Sequence, residues 1–236
     1  MFEVKNIAFA YGGRQVLRDV SFVLSPGETV GVVGANGAGK TTLLKILATV
    51  LVPDAGTVML AGRNLLATPG AYRRTVGYMP EGTALYEDMT VKEYLVYRAR
   101  MKGEASKRIR RRVEEAVEMC RLSGELRARI GGLSFGQKRR VALADAILLR
   151  PRVLLLDDFL AGLDAAMRDD AGRVLSEAAA FSAVVVTGHD IADLARWTTR
   201  FVVLGDGRVA DVVPSAGADA ATAAERVLAS IRGVSK

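Results

Sequence analysis

One cysteine and one histidine among 236 residues leave little room for several kinds of chemistry. Cys120 has no partner in the chain, so no internal disulfide forms, and with His189 as the lone imidazole no Cys/His zinc site can assemble. Zinc is not expected, and any metal has to be held by oxygen. Long apolar runs are also missing: "VLLL" and "AVVV" are cut short by Arg, Asp or Gly, whereas a membrane span needs about 20 apolar residues. No transmembrane helix is expected. The opening "MFEVKNIAFAYGG" carries an acid at Glu3 and no continuous apolar core, so it does not read as a signal peptide. These absences predict a cytoplasmic chain.

Half of the residues are hydrophobic and a quarter are charged, the composition of a folded α/β chain. The length fits one globular unit with room for an inserted subdomain. Net charge is +7, which points toward an acidic partner such as nucleotide phosphate, anionic lipid or nucleic acid. The densest positive block is "KRIRRR", Lys107 to Arg112, and apolar residues recur through it at helical spacing, at Ile109, Val113, Ala116, Val117 and Cys120. It reads as an amphipathic helix whose basic face meets solvent or anionic lipid headgroups. Nucleic acid is not expected as a partner, because neither interleaved aromatics nor a reader motif accompanies the charges.

Strand-like pieces open the chain, "FEVKNIAFA", "QVLRDVSFVL" and "ETVGVVG", separated by "YGG" and "SPGE" turns. A mostly buried helix then follows with Leu43, Leu44, Ile46, Leu47 and Leu51. From Thr90 to Leu122 the pattern is helical, with Thr90 as N-cap and Glu93 three residues on completing a capping box. This predicts a helical insertion over about 83–135. Beyond it helix and strand alternate: "QKRRVALADAILL", "RVLLLD", "AAMRDDAGRVLSEAAA", "SAVVVTG" and "IADLARW", then a hairpin turning at Asp206 and Gly207. Such alternation implies a parallel sheet. A C-terminal tail, 214–236, is a linker and one weakly amphipathic helix.

The sharpest motif is "GANGAGKT", Gly34 to Thr41, which fits G-x-x-x-x-G-K-[ST] after a strand and before a helix. Gly34, Ala35, Asn36, Gly37, Ala38, Gly39, Lys40, Thr41 and Thr42 therefore form the expected nucleotide-binding loop. Glycines turn backbone N–H groups toward phosphate oxygens, the helix N-terminus adds its dipole, Lys40 reaches the terminal phosphates and the Thr41 hydroxyl ligates Mg²⁺. ATP and Mg²⁺ are the expected ligands. In "LLLDDFLAGLD", Leu154 to Asp164, the acid ending the buried strand, Asp157, is the partner such a loop requires for Mg²⁺.

"LSFGQKRR", Leu133 to Arg140, resembles the signature of the ATP-binding-cassette (ABC) family. Other elements of that family fall in order over residues 2 to 211. Tyr11 resembles the aromatic that stacks on adenine, Glu81 in "YMPE" falls at the Q-loop, "AGLD" with Asp164 resembles the D-loop, and His189 in "VTGHD" matches the switch histidine. The resemblance implies a single P-loop NTPase domain over 1–236: a parallel-sheet core, an N-terminal antiparallel β subdomain and an inserted helical subdomain. It further implies a head-to-tail dimer with a second cassette, identical or different. Ser134, Phe135, Gly136 and Gln137 of one chain would then lie against the γ-phosphate held by the other. Asp164 would serve the interface.

Four positions depart from that pattern. Where the family has Glu then Pro after the Mg²⁺ aspartate, this chain has Asp158 and Phe159. Asp158 keeps a carboxylate to direct the attacking water, with His189 beside it, but sets it back by one carbon. Glu81 replaces Gln at the Q-loop and remains a candidate Mg²⁺ ligand with Thr41 and Asp157. Phe135 replaces a signature Gly. The resemblance implies an ATPase subunit that powers a separate membrane permease, peripheral on the cytoplasmic face. "LYEDMTVKEYLVYRARMKG" resembles the exporter-type cassettes. The alternative is a hydrolysis-poor ATP-dependent dimerisation switch, or the weak-site member of a heterodimeric pair.

Overall fold

Residues with period-two and period-3.6 burial build two sheets and eight α-helices in a computed structural model that describes residues 1–82 and 84–234, the counts being of those residues. Residue 83, in the expected insertion, and residues 235–236, at the end of the expected tail, lie outside the described residues.

The first sheet is antiparallel, in the order β2 (Arg14–Leu24), β1 (Phe2–Tyr11), β4 (Ala55–Leu60) and β5 (Arg63–Asn64). Its inward residues alternate with exposed ones, as a sheet with one wet face requires: Phe2, Val4, Ile7 and Phe9 of β1 lie opposite Leu24, Phe22, Val20 and Leu17 of β2 in one apolar layer. That layer rests on α1 (Lys40–Leu47).

The second sheet is the spine. Its order is β10 (Arg208–Pro214), β9 (Arg200–Gly205), β3 (Thr29–Gly34), β8 (Ala183–Thr187), β7 (Val153–Leu156) and β6 (Val76–Met79). Pairing is parallel from β9 to β6, and β10 closes one edge antiparallel through the expected hairpin at Asp206 and Gly207. Both faces are covered, so the inner strands are continuously apolar: Leu154 and Leu156 face one core while Val153 and Leu155 face the other.

α2 (Pro69–Tyr72) is a single turn before β6. The expected insertion is present between β6 and β7: α3 (Val91–Met101), α4 (Ser106–Met119) and a 3-10 turn (Ile130–Gly132) precede α5 (Phe135–Ile147). The Thr90 capping box forms as the spacing predicts, with Glu93 N donating to Thr90 Oγ1 at 3.2 Å and Thr90 N donating to Glu93 Oε2 at 2.9 Å. α3 is locked to α5 by a buried ionic cluster in which Asp145 receives Arg98 at 3.0 Å and Lys102 at 2.7 Å.

The arginine block on α4 is tied into carboxylates rather than left as bare positive charge. Arg108 pairs with Glu104 at 2.7 Å, Arg110 with Glu114 at 2.8 Å, Arg111 with Glu115 at 3.4 Å, and Arg112 with Glu104 and Glu115 at 3.5 and 3.2 Å. The outward pairs, Arg110 with Glu114 and Arg111 with Glu115, stabilise little, but all of these pairs shorten the reach of the positive field.

α6 (Ala165–Ala179) and α7 (Ile191–Ala195) complete the layer on that face of the sheet, and α8 (Ala220–Val234) packs beside α7, β9 and β10. Trp197, just after α7, lies against Gly172 of α6 so closely that an added Cβ would fall 2.0 Å from the indole ring. Arg196 covers the same ring at 4.9 Å. Among the described residues, no helix is long and apolar enough to cross a membrane.

Candidate active site

β3, β7 and β8 are parallel neighbours, so their carboxyl ends emerge at one edge of the sheet, where ligands of open α/β sheets gather. β3 delivers the loop 35–39 and the start of α1, β7 delivers Asp157 and Asp158, and β8 delivers Thr187 and His189. The loop enters α1 through Gly39, whose φ of +99° is open to glycine at little cost; an added Cβ there would also lie 2.6 Å from the Leu17 side chain. Lys40 Nζ donates to the carbonyls of Gly34 and Ala35 at 2.9 and 3.1 Å, which sets its ammonium over the loop. Burial lowers the pKa of Lys40, against the opposing pull of Asp157 and Asp158.

Behind the loop the acids are held by a hydrogen-bonded relay. Asp157 Oδ1 accepts from Thr41 Oγ1 at 3.2 Å and from Thr187 Oγ1 at 2.7 Å. The Thr187 hydroxyl in turn accepts from Asp158 N at 2.8 Å, and Phe159 N donates to Thr187 O at 3.0 Å. Asp157 is 1% exposed, yet its Oδ2 has no hydrogen-bond partner. A buried carboxylate oxygen without a donor is costly, and its place beside the phosphate loop suits a hard cation. Mg²⁺ keeps most of its shell as water and phosphate oxygen, so one carboxylate and one hydroxyl are a sufficient protein contribution. No denser group of His, Cys, Asp and Glu suited to a metal occurs among the described residues.

Asp158 takes φ +46°, the left-handed region, which Asp enters more readily than longer side chains. In front of the loop lies an open cleft of about 1040 Å³, lined by residues 35–42, Tyr11, Glu81 and His189 among others. The structure thus brings together the expected aromatic, phosphate loop, Q-loop acid and switch histidine. Tyr11 is 47% exposed and meets Phe9 edge-on at 4.7 Å, leaving part of its ring open to the cleft.

The signature residues are not part of this cleft. Ser134 caps α5, accepting from Gln137 N at 3.3 Å while Gln137 Oε1 accepts from Ser134 N at 2.9 Å. Gly136 lies against Met167, and Phe135 is 55% exposed. Asp164 caps α6, accepting from Met167 N at 2.8 Å. Each of these residues therefore has a local structural role in the chain.

Sequence reasoning missed several residues at the site. Thr187 joins the two acids, and its only signal was its position at the end of "VVVT" next to His189. Arg14 and Arg18 bring positive charge to the cleft, and Ile231 of α8 also borders it. Arg139, a basic residue in the small-residue helix "QKRRVALADA", is only 3% exposed.

Comparison with known proteins agrees with this fold. The profile of the ABC transporter family matches residues 17–161. The uncharacterized ABC transporter ATP-binding protein YxlF of Bacillus subtilis (strain 168) is 32% identical over 89% of this chain and 69% of its own length. The Fe(3+) ions import ATP-binding protein FbpC 2 of Rhodococcus jostii (strain RHA1) is 36% identical over 89% of this chain and 61% of its own length. The Nod factor export ATP-binding protein I of Paraburkholderia xenovorans (strain LB400) is 36% identical, covering 91% and 71%. Among solved structures, an ATP binding subunit of an ABC transporter superposes with TM-score 0.84 at 29% identity, covering 97% of this chain and 99% of that one. A dimeric post-hydrolysis state of the ATP-binding cassette MJ0796, bound to ADP and Pi, superposes with TM-score 0.81 at 26% identity, covering 92% and 100%. The chain belongs to the ABC transporter family, as an ATP-binding subunit with ATPase activity.

Proposed function

We propose that the chain acts as one of two cassettes that close head to tail on ATP and drive a separate membrane permease in the direction of export. The observation that carries the nucleotide part is the relay from Thr41 through Asp157 and Thr187 to Asp158, which fixes the acids against the phosphate loop. Backbone N–H groups of residues 35–41 and the Lys40 ammonium hold the phosphates. Thr41 and Asp157 would hold Mg²⁺, with Glu81 at the cleft as a further oxygen donor, and the ion bound there would neutralise phosphate charge. Asp158 takes the proton of the attacking water, and His189 at the cleft wall keeps water and γ-phosphate in register. Tyr11 stacks on the base. Ser134, Phe135, Gly136 and Gln137 reach the same nucleotide from the second cassette, whose approach Asp164 meets.

The permease is proposed to dock on the insertion just past Glu81. Tyr86 is 50% exposed there, its ring braced edge-on by the buried Tyr94 at 5.9 Å and by Tyr97 at 5.6 Å, an aromatic contact suited to a coupling helix. Relatives are named for both import and export, so the direction rests on the resemblance of "LYEDMTVKEYLVYRARMKG" to exporter-type cassettes. The test is co-purification with a polytopic membrane protein and reconstitution of the pair in liposomes. ATP-dependent movement of solute away from the cassette side supports the reading; ATP-dependent movement toward that side reverses the direction. No binding to any polytopic protein removes the transport role.

A second reading has its own observation. Asp158 is one carbon shorter than the family's Glu and stands on a left-handed backbone, so the chain could serve as a slow switch or as the weak-site partner of another cassette. ATP turnover by the purified chain at saturating nucleotide separates the two: sustained multiple turnover favours the motor, and less than one turnover per chain favours the switch.

A further inference from the structure

Arg139 stands in the middle of α5, and its guanidinium is spent on backbone rather than on a carboxylate. Nη1 donates to Glu81 O at 3.1 Å, while Nη2 donates to Asp158 O at 2.7 Å and to Phe159 O at 3.1 Å. These carbonyls belong to two loops, 58 and 19 to 20 residues away in sequence, that carry the Q-loop acid and the water-directing acid. Nε is buried with no partner, so the group tolerates an unmet donor to keep this arrangement. The Phe135 ring lies 5.9 Å from the guanidinium, one helical turn back on the same face. On its other side Phe135 abuts Gly162, where an added Cβ would lie 2.5 Å from the ring.

The Asp158 turn explains why such a clamp is needed. A non-glycine residue at φ +46° persists when its surroundings over-determine it. Thr187 binds the N–H groups of Asp158 and Phe159 from the β8 side, and Arg139 binds the carbonyls of the same two residues from the α5 side. Both donors and both acceptors of the turn are held, by side chains and backbone from opposite layers. A planar fork with five N–H groups can satisfy three carbonyls at once; an ammonium on a flexible stem cannot fix three peptide planes in the same way.

We propose that Arg139 is a positioning residue for hydrolysis, which registers the carboxylate of Asp158 against Glu81 by clamping the peptide groups on which both stand. The proposal rests on reading Asp158 as the group that directs the water. Phe135, Arg139 and the Asp158–Phe159 pair then act as one set, so that departures from the family pattern at the signature and at the acid are linked through a single side chain.

The test uses the purified full chain, with steady-state ATP hydrolysis and fluorescent-ATP binding. Arg139→Met keeps the apolar stem and removes the fork; kcat is expected to fall about tenfold or more, with KM and nucleotide Kd within about twofold of wild type. A kcat within about twofold of wild type overturns the proposal, and so does a parallel loss of nucleotide binding, which would mark Arg139 as a general prop of the fold. If Arg139→Met does not fold, Arg139→Lys decides: the proposal expects kcat lowered at least about threefold with Kd unchanged, and an unchanged kcat overturns it. Asp158→Asn is measured alongside. If that variant hydrolyses like wild type, the reading of Asp158 fails, whatever Arg139→Met shows; if it is inactive while Arg139→Met is normal, only the Arg139 proposal fails.

Discussion

At Asp158 the side chain and the backbone make opposite demands. Its carboxylate is set back by about one carbon–carbon bond, and displacements of about 1 Å can slow a reaction by roughly 10². Its φ of +46° is easier for Asp than for Glu. Asp158→Glu is therefore expected to raise kcat about tenfold and to lower stability by about 1 kcal/mol. A glutamate variant that turns over no faster would dispose of the geometric argument. Restoring Pro at Phe159 as well removes the N–H that donates to Thr187 O, so the double change should be less stable than Asp158→Glu alone. Thr187→Val keeps the shape and deletes the hydroxyl that joins the acids. It should cost about 1–3 kcal/mol by denaturant unfolding and slow hydrolysis as well; a fully stable, fully active valine variant would show that the relay is idle.

Between elements, the buried cluster of Asp145, Arg98 and Lys102 decides how firmly the insertion is fixed to α5. Burial alone would raise the pKa of Asp145, but Lys102 and Arg98 outweigh it and hold the carboxyl below its ordinary 3.8. The folded value is the lower one, so this stabilisation is complete above the unfolded pKa and is lost as pH falls from there through the folded value. Asp145→Asn leaves Lys102 buried opposite a neutral amide and should cost about 3–5 kcal/mol. The variant's stability should also vary less with pH below about 4 than that of wild type, and equal acid slopes for the two would contradict this. α3, with its capping box, was legible in the sequence because its signals lie three or four residues apart. So were the strand, loop and helix around Lys40. β4, β5 and β6 were not legible: β5 is two residues long, and β4 exists by pairing with β1 about fifty residues earlier. Thr187 and Arg139 escaped for the same reason, since their roles depend on partners brought close only by the sheet and by α5.

For the molecule as a whole, the signature residues sit outside the cleft of their own chain, and under the proposed head-to-tail closure a second cassette supplies them. Asp158→Asn should trap that state, shifting to a dimer on adding ATP in light-scattering chromatography; a variant that stays monomeric at saturating ATP would argue against closure on nucleotide. The net charge of +7 is a weaker guide to partners than it first reads, because the arginines of its densest block are engaged by Glu104, Glu114 and Glu115.

The packing of Trp197 has a practical use. It is the chain's one indole, wedged between α6, which Asp164 caps, and α7, which begins two residues after His189, with the Arg196 cation on its face. Its emission is an unlabelled optical gauge of how those two helices sit. Adding ATP should shift its wavelength or quench it with the same concentration dependence as nucleotide binding, and a spectrum unchanged at saturation would mean that α6 and α7 keep their spacing throughout the cycle.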